Sequence, residues 1–294
     1  AIAGSANAIY GIAEYWSKRK EIAALGREFY IYYVANRITG FQSHWMTFSG
    51  VEMILLLFLL SWALFAADSL KARLALGVAV LLIGTAVLLS DTRSVWLATA
   101  IGVVYLVARS QPKLLWTLPV IGVLIFFAAP ENVQERVRSI WQPSQADSNS
   151  HRRAVNLIGV EMIRKHPWTG VGPGRVGKVY RQYIPSSLRG PLPEGYYDHL
   201  HSIYVHYAAE RGLITAAGLV AWLLGSLVVL LRAAKGTEGV AAGLLHAGVA
   251  VTLAVMVEGA FELNLGDSEV LLLYLIVLAL GFVAMRETHE LKRT

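Results

Sequence analysis

The chain has 294 residues, of which 55% are hydrophobic and 16% are charged, and its mean hydropathy is +0.51. Since a soluble domain of this size carries roughly 25% charged residues, the composition excludes an ordinary soluble protein and predicts an integral membrane protein. The sequence contains no cysteine, which excludes disulfides and thiolate metal sites. The net charge of +6 is better explained by cytoplasmic anchor residues and an anionic lipid or substrate than by nucleic acid.

Apolar runs predict seven membrane-spanning helices. A helical span needs about 20 mostly apolar residues, and such runs lie at 48–66, 72–90, 92–109, 112–129, 212–231, 237–257 and 270–285. The third run is the least apolar, because its uncharged core extends only from Val95 to Ala108. Residues 1–16 resemble the tail of an eighth span or an interfacial helix. The chain begins with alanine and without a signal-peptide pattern, so we expect further N-terminal helices to precede it.

Lysine and arginine in the short loops predict which ends of the spans face the cytoplasm. The segments "DSLKAR", "RSQPK", "RAAK" and "RETHELKRT" would share one side, and each holds at least two of these residues. The other side then holds two short turns and the long segment 131–211, although "SKRK" at 17–20 falls there too and counts against the assignment. The sequence thus predicts spans within 1–130, an external cap at 131–211 and C-terminal spans within 212–294.

The segment 131–211 is too long for a structureless connection and predicts a small, mostly helical cap. Residues 131–141 have helical spacing, with Val133, Val137 and Ile140 on one face. A polar break, "QPSQADSNS", separates them from a second helix that Pro167 ends. The apolar face of that helix consists of Val155, Ile158, Met162 and Ile163. The predicted fold class is all-α: a polytopic helical membrane bundle with a helical cap between two spans.

A glycine-rich segment, "WTGVGPGRVG", follows the second cap helix. It lacks the lysine and hydroxyl residues that end a Walker loop, and it follows no predicted strand. We therefore interpret it as a tight turn that packs close to the membrane face, not as a nucleotide site.

Three histidines, His199, His201 and His206, precede the span at 212–231. Metal-binding pairs on a helix prefer spacings of three or four residues, whereas His199 and His201 are two apart and would point to different sides of a helix. The spacing therefore disfavours a zinc site. Two interpretations remain: all three are interfacial polar residues, or one of them acts as a general base near neutral pH.

Arginines on the same predicted face favour an anionic substrate. Arg93 lies at the outer end of a span, and Arg152 and Arg153 begin the second cap helix. A guanidinium group can bind phosphate in a bidentate manner and stays charged in a dry site. A single interfacial arginine commonly just reaches towards water. Several arginines beside a histidine would instead suit a lipid pyrophosphate at the membrane boundary.

Three more titratable residues lie in or near the predicted spans. Charged residues inside a membrane are functional hypotheses by default, but Glu52 and Glu258 lie near the outer ends of their spans, so we expect solvated carboxylates there. His246 lies in the middle of a span, where we expect it to pair with another helix and to have no catalytic role.

The motifs together resemble the O-antigen ligase and O-antigen polymerase superfamily. His201 and Ser202 are followed by nine residues and then by "GLIT", a spacing similar to the histidine motif of that family. "SDTRSVW" resembles its arginine after a span that ends in a small polar residue. "HRRAVNLIGVEMIRKHPWTGVGPG" resembles its helix that an arginine opens and a His-Pro pair ends, and "NRITGFQSHWMTFSG" resembles its entry into an earlier span.

The resemblance implies a glycosyltransferase of the GT-C-like type in the bacterial inner membrane, with its active site facing the periplasm. His201 matches the catalytic base of the family. Arg93 and Arg152 match the arginines that hold undecaprenyl pyrophosphate, with Arg153 as the alternative one residue along. Ser202 replaces a frequent asparagine beside the substrates. The implied reaction inverts the anomeric centre and needs no nucleotide, no cofactor and no metal.

Three acceptors are compatible with the resemblance. A ligase joins the glycan to lipid A-core, a polymerase joins it to another lipid-linked repeat, and a third branch transfers it to protein hydroxyls. The single large cap and the His-Ser pair favour the ligase. A lipid or polysaccharide transporter is the alternative from another class, although the sequence has no internal repeat of the kind that many transporters show. A purely structural membrane component is also compatible with the composition.

Overall fold

A computed structural model of the protein describes residues 1–22, 37–139, 148–188, 191–193, 195 and 197–291. These residues form α-helices and short 3-10 helices, and the described part of the chain contains no strand, which confirms the predicted all-α class. The helices are α1 (Ile2–Ile22), α2 (Trp45–Phe65), α3 (Leu70–Leu89), α4 (Arg93–Ser110), α5 (Leu118–Ala128), α6 (Glu131–Arg138), α7 (Ser148–Lys165), α8 (Val176–Val179), α9 (Ile203–Arg211), α10 (Leu213–Ala233), α11 (Gly239–Glu258) and α12 (Ser268–Leu291).

Five helices in the described part of the chain are long and apolar enough to cross a membrane: α2, α3, α10, α11 and most of α12. They coincide with five of the predicted spans, and they make the chain a multi-pass membrane protein. The predicted span at 92–109 is the helix α4, which is less apolar than these five. The predicted span at 112–129 is a 3-10 helix, Pro112–Thr117, followed by the short helix α5.

Helices α2 and α11 form the centre of the bundle, and α3, α4, α10 and α12 pack around them. Small residues let the backbones approach: a Cβ on Gly102 would lie 2.7 Å from the Leu57 side chain. The Tyr105 hydroxyl of α4 lies 2.8 Å from Nδ1 of His246 in α11. The expected pairing of His246 with another helix is therefore confirmed.

Two acidic residues inside the bundle contradict the expectation of solvated span ends. Glu52 and Glu258 are both buried. Asn7 of α1 donates a hydrogen bond of 2.6 Å to Glu52, and Asn264 donates one of 2.9 Å to Glu258. The prediction was wrong because α1 and the loop after α11 cover these span ends, and their amide groups replace water as hydrogen-bond donors.

The cap covers one end of the bundle, where α2, α4, α10 and α12 begin and α3 and α11 end. Both predicted cap helices are present as α6 and α7, with Val133, Val155, Ile158 and Met162 buried. Part of the predicted polar break, and Ile140, lie outside the described residues. Together with α8 and α9, helix α7 forms a small hydrophobic core separate from that of the bundle.

The glycine-rich loop packs against the C-terminal end of α9. Val171 and Gly172 donate backbone hydrogen bonds of 2.9 and 3.0 Å to the last turn of that helix, and the Gly174 amide donates one of 2.6 Å to the Glu210 carboxylate. This agrees with a tight turn, and it joins the cap to the helix that leads into α10.

Candidate active site

A buried carboxylate joins two of the predicted site residues. Oε2 of Glu262 lies 2.8 Å from Nδ1 of His201, and Oε1 of Glu262 forms an ion pair with the Arg152 guanidinium. The Glu262 side chain is only 2% exposed, and that of His201 is 11% exposed. His201 and Arg152 therefore form one hydrogen-bonded unit, although 49 positions separate them in the sequence.

The backbone around His201 fixes the position of its ring. Its φ of 46° lies in the left-handed region, which is uncommon for a residue other than glycine and is often found at functional sites. The next residue, Ser202, is buried and caps α9, because its hydroxyl accepts a hydrogen bond from the Val205 amide. The Ile203 amide donates a bond of 2.8 Å to the carbonyl of Gly259, which ties this segment to the loop that carries Glu262.

His199 and His201 therefore precede helix α9, so the expectation that both belong to one helix was wrong. Their ring centroids lie 4.4 Å apart, which places the two histidines side by side. His206 lies inside α9 and points elsewhere, with its Nε2 3.6 Å from Glu210. The structure thus separates the three histidines into a pair beside Glu262 and one buried residue of α9 that faces Glu210.

Burial makes His201 a neutral imidazole at neutral pH. Burial is the main cause that lowers the pKa of His201 well below its usual value, and the charges of His199 and Arg152 act in the same direction. The hydrogen bond with Glu262 opposes this shift, but Arg152 shares the same carboxylate. A neutral ring that donates from Nδ1 to a carboxylate keeps its lone pair on Nε2. His201 is therefore arranged to accept a proton at Nε2.

Arg37 extends a cluster of positive charges beside this unit. It is 9% exposed and stacks over the Trp45 ring at 4.9 Å. Burial, first, and then the charge of Arg136 lower the pKa of Arg37 to about 9, and Arg152 and Arg93 contribute in the same direction. The Asp91 carboxylate acts in the opposite direction, so the cluster contains one acidic group among its arginines.

The two remaining predicted arginines occupy different positions. Arg93 belongs to the cluster with Arg37, and its guanidinium donates a hydrogen bond of 3.1 Å to Ser139. Arg153 is exposed and lines a cavity of about 420 Å³ together with Arg152 and His201. The structure therefore brings Arg93 and Arg152 to the same cluster, and it brings Arg152, Arg153 and His201 to the same cavity.

Three groups could hold a metal ion in this site. Single ligand atoms of His199, His201 and Glu262 lie within 4.8 Å of one another. Both oxygens of Glu262 already contact Arg152 and His201, so a bound ion would have to displace at least one of those contacts. This donor set fits an ion poorly as long as the Arg152 ion pair is intact.

The sequence interpretation missed Glu262 and Arg37. Glu262 lies in the turn between two spans and was not singled out among the acidic residues there. Arg37 lies at the start of a segment that the family resemblance included, but its charge was not singled out. One signal could have found both, because each is a charged residue near a span end on the side of the cap.

The fold and this arrangement define an all-helical, multi-pass membrane protein with a charged centre at the capped end of its bundle. A family model described as O-Antigen ligase matches residues 77–223, half of the chain, and the chain belongs to that family. The superfamily consists of glycosyltransferase-like membrane enzymes, so the resemblance inferred from the motifs is confirmed. No curated protein matches the chain. The matched region contains Arg93, Arg152 and His201, whereas Arg37 and Glu262 lie outside it.

Proposed function

We propose that this protein transfers a glycan from undecaprenyl pyrophosphate to a sugar of lipid A-core, at the periplasmic face of the bacterial inner membrane. The proposal rests on family membership and on one observation above all: Glu262 connects a neutral histidine to an arginine, beside a cluster of arginines in which Arg37 is buried. Such a site can accept a proton and stabilise an anionic leaving group together.

His201 is the proposed base. The acceptor hydroxyl oxygen attacks the anomeric carbon of the donor sugar, and its proton moves to Nε2 of His201. Glu262 is a positioning residue, because its carboxylate holds the ring in the tautomer that leaves Nε2 able to accept that proton. Ser202 contributes by capping α9 directly behind His201.

Arg93 and Arg152 are the proposed ligands of the leaving group, and Arg37 belongs with them. The bond between the anomeric carbon and the pyrophosphate oxygen breaks, and its electron pair leaves with undecaprenyl pyrophosphate. Arginines held in a buried site stabilise that charge more strongly than they would in water. Attack opposite the leaving group inverts the anomeric centre. Neither a nucleotide nor a metal is required in this scheme.

The position of the site suits a lipid-linked donor. His201 lies 12 residues before the first residue of the spanning helix α10, and Arg93 is the first residue of α4. A donor anchored in the membrane would therefore carry its pyrophosphate to the depth of the arginine cluster, while the cap stands over the sugars. A ligase, a polymerase and a protein O-oligosaccharyltransferase would share this donor geometry and differ in the acceptor.

Reconstituted transfer with a choice of acceptors tests the proposal. Full-length protein in lipid nanodiscs would receive undecaprenyl-pyrophosphate glycan together with lipid A-core, in the absence of nucleotide. We expect glycan on lipid A-core. Lengthening of the lipid-linked glycan alone would identify a polymerase, and transfer only to an added hydroxyl-bearing protein would identify the third branch. Movement of the donor across the bilayer without any new glycosidic bond would contradict enzymatic function and favour a transporter.

A further inference from the structure

A second cavity, of about 260 Å³, lies beside the proposed base. It is bounded by the residues just before and within the first turn of α2 and by the loop between α11 and α12. We call it the acidic cavity and define it by five of its lining residues, His44, His199, Glu258, Glu262 and Asp267. Its volume is slightly below the roughly 300–1,000 Å³ of pockets for drug-sized ligands, so it suits one sugar ring.

The charges of the acidic cavity are opposite to those of the cavity that Arg152 and Arg153 line. Three carboxylate residues border it, and no arginine or lysine is among the described residues that line it. A phosphate or carboxylate on a ligand would meet the like charge of Asp267 here, which is destabilising. Sugar hydroxyls, in contrast, donate hydrogen bonds to carboxylates, and Met46 and Leu263 offer apolar surface to the carbon face of a ring.

Asp267 differs from the other two carboxylates of the cavity, because a neutral hydroxyl group holds it in place and leaves its charge uncompensated. Thr47 of α2 donates a hydrogen bond of 2.8 Å to its Oδ2. Glu262, by comparison, is paired with Arg152, and Glu258 accepts a bond from Asn264. A fixed carboxylate with one neutral partner keeps acceptor capacity for a ligand hydroxyl.

The acidic cavity borders the reacting centre. His199 lines it, and its ring is tilted against that of His201 with the centroids 4.4 Å apart. Glu262 also lines it and contacts His201 at 2.8 Å. A ring bound there would lie one side chain away from the base.

We propose that the acidic cavity binds a sugar ring that carries no phosphate or carboxylate group, either the donor sugar next to the pyrophosphate or the acceptor sugar. Asp267 selects that ring by accepting a hydrogen bond from one of its hydroxyls. The inference rests on the proposed function and adds a subsite with a defined selectivity: neutral or amino sugars are bound, and anionic sugars are rejected.

The test compares the parent protein with Asp267→Asn, which removes one charge with little change in shape. Glu269→Gln is the matched control, because Glu269 is exposed, lies two residues away and does not line the cavity. With full-length protein in nanodiscs, KM would be measured separately for the donor and the acceptor. The loss of one charge-assisted hydrogen bond is expected to raise one of these KM values about tenfold or more, and the control is expected to change neither.

The substrate whose KM rises identifies which sugar occupies the cavity, and unchanged KM values for both would overturn the proposal. A neutral disaccharide and the same disaccharide with one phosphate group provide the selectivity arm. The parent should prefer the neutral sugar, and Asp267→Asn should narrow that preference, whereas equal use of both by the parent would contradict the inference. If Asp267→Asn does not fold, Thr47→Val should raise the same KM by releasing Asp267.

A binding measurement separates the two proposals. Saturation-transfer NMR can detect the neutral disaccharide on the parent protein without any donor. Binding that Asp267→Asn weakens would support the subsite even if the parent transferred no glycan, in which case the proposed function alone would fail. Glycan transfer without Asp267-dependent binding or KM would overturn the subsite alone.

Discussion

Replacing Glu262 with Gln tests the unit that joins the proposed base to the leaving-group site. Arginine can only donate hydrogen bonds, so the amide oxygen of Gln would remain towards Arg152 and its NH2 group would face Nδ1 of His201. His201 would then carry its proton on Nε2, where it cannot act as a base. A charge-assisted hydrogen bond contributes about 1.5–3 kcal/mol, and about 1.4 kcal/mol corresponds to a factor of ten in rate. We expect kcat/KM to fall roughly ten- to a hundredfold or more.

The assay for Glu262→Gln is the initial rate of glycan transfer by full-length protein in nanodiscs, at saturating lipid A-core and varied donor. Glu269→Gln is the matched control, because Glu269 is exposed in the first turn of α12, directly after the loop that carries Glu262, and it should keep the parent rate. A melting curve establishes that the variant is folded, because replacing the carboxylate weakens the ion pair with Arg152 to a hydrogen bond from a charged donor to a neutral acceptor. A folded Glu262→Gln protein with kcat/KM within twofold of the parent would refute the positioning role.

Three further results are expected. Gly212→Ala should destabilise the fold by about 1–3 kcal/mol in thermal unfolding, because φ of Gly212 is +85° and the added Cβ would lie 2.0 Å from the Trp168 carbonyl oxygen. Gly218→Ala is the control and should not destabilise the fold, because the added Cβ would have no atom within 4 Å. Equal melting temperatures for the two variants would contradict this prediction. In a pH series, kcat/KM should stay level from about pH 8 to 6, because the pKa of His201 lies below the ordinary histidine value of about 6.5 and the ring stays unprotonated over this range. A loss of kcat/KM centred near pH 6.5 would contradict the lowered pKa. Transfer should continue in excess chelator, and a loss that Zn²⁺ restores would contradict the metal-free scheme.

The spans could be predicted from the sequence because the membrane imposes one simple requirement, about 20 apolar residues in a helix. Helices α2, α3, α10, α11 and α12 met it, and α4 was the expected weak member of the series. The amphipathic spacing of α7 likewise predicted its buried face, because apolar residues that recur every 3.6 positions lie on one side of a helix regardless of what that side packs against. These features depend on local sequence alone.

Which residues meet in the site depends on contacts between distant parts of the chain, and local sequence patterns do not predict such contacts. Glu262 lies 61 residues beyond His201, and it reaches that ring only because the loop after α11 is hydrogen-bonded to the start of α9. The segment around His199 illustrates a different failure. Helical spacing was applied to it, but Ser202 is an N-cap residue, and a serine directly before an apolar-periodic run was the signal that the helix begins only after His201.

The burial of two acidic residues in the bundle also depends on packing between segments that are distant in the sequence. Glu52 and Glu258 are near span ends in the sequence, and that position normally means contact with water. Their burial follows from α1 and from the loop after α11, which supply Asn7 and Asn264 as hydrogen-bond donors. The sequence of a span does not predict whether another segment of the chain covers its end.

The most direct test of the account is a single-turnover measurement of His201→Ala and His201→Gln with preloaded lipid-linked donor. We expect both variants to bind the donor as the parent does but to form the glycosidic bond at least about a hundredfold more slowly, which is the typical contribution of a general base. A single-turnover rate equal to that of the parent in either folded variant would contradict the central claim that His201 accepts the proton of the attacking hydroxyl.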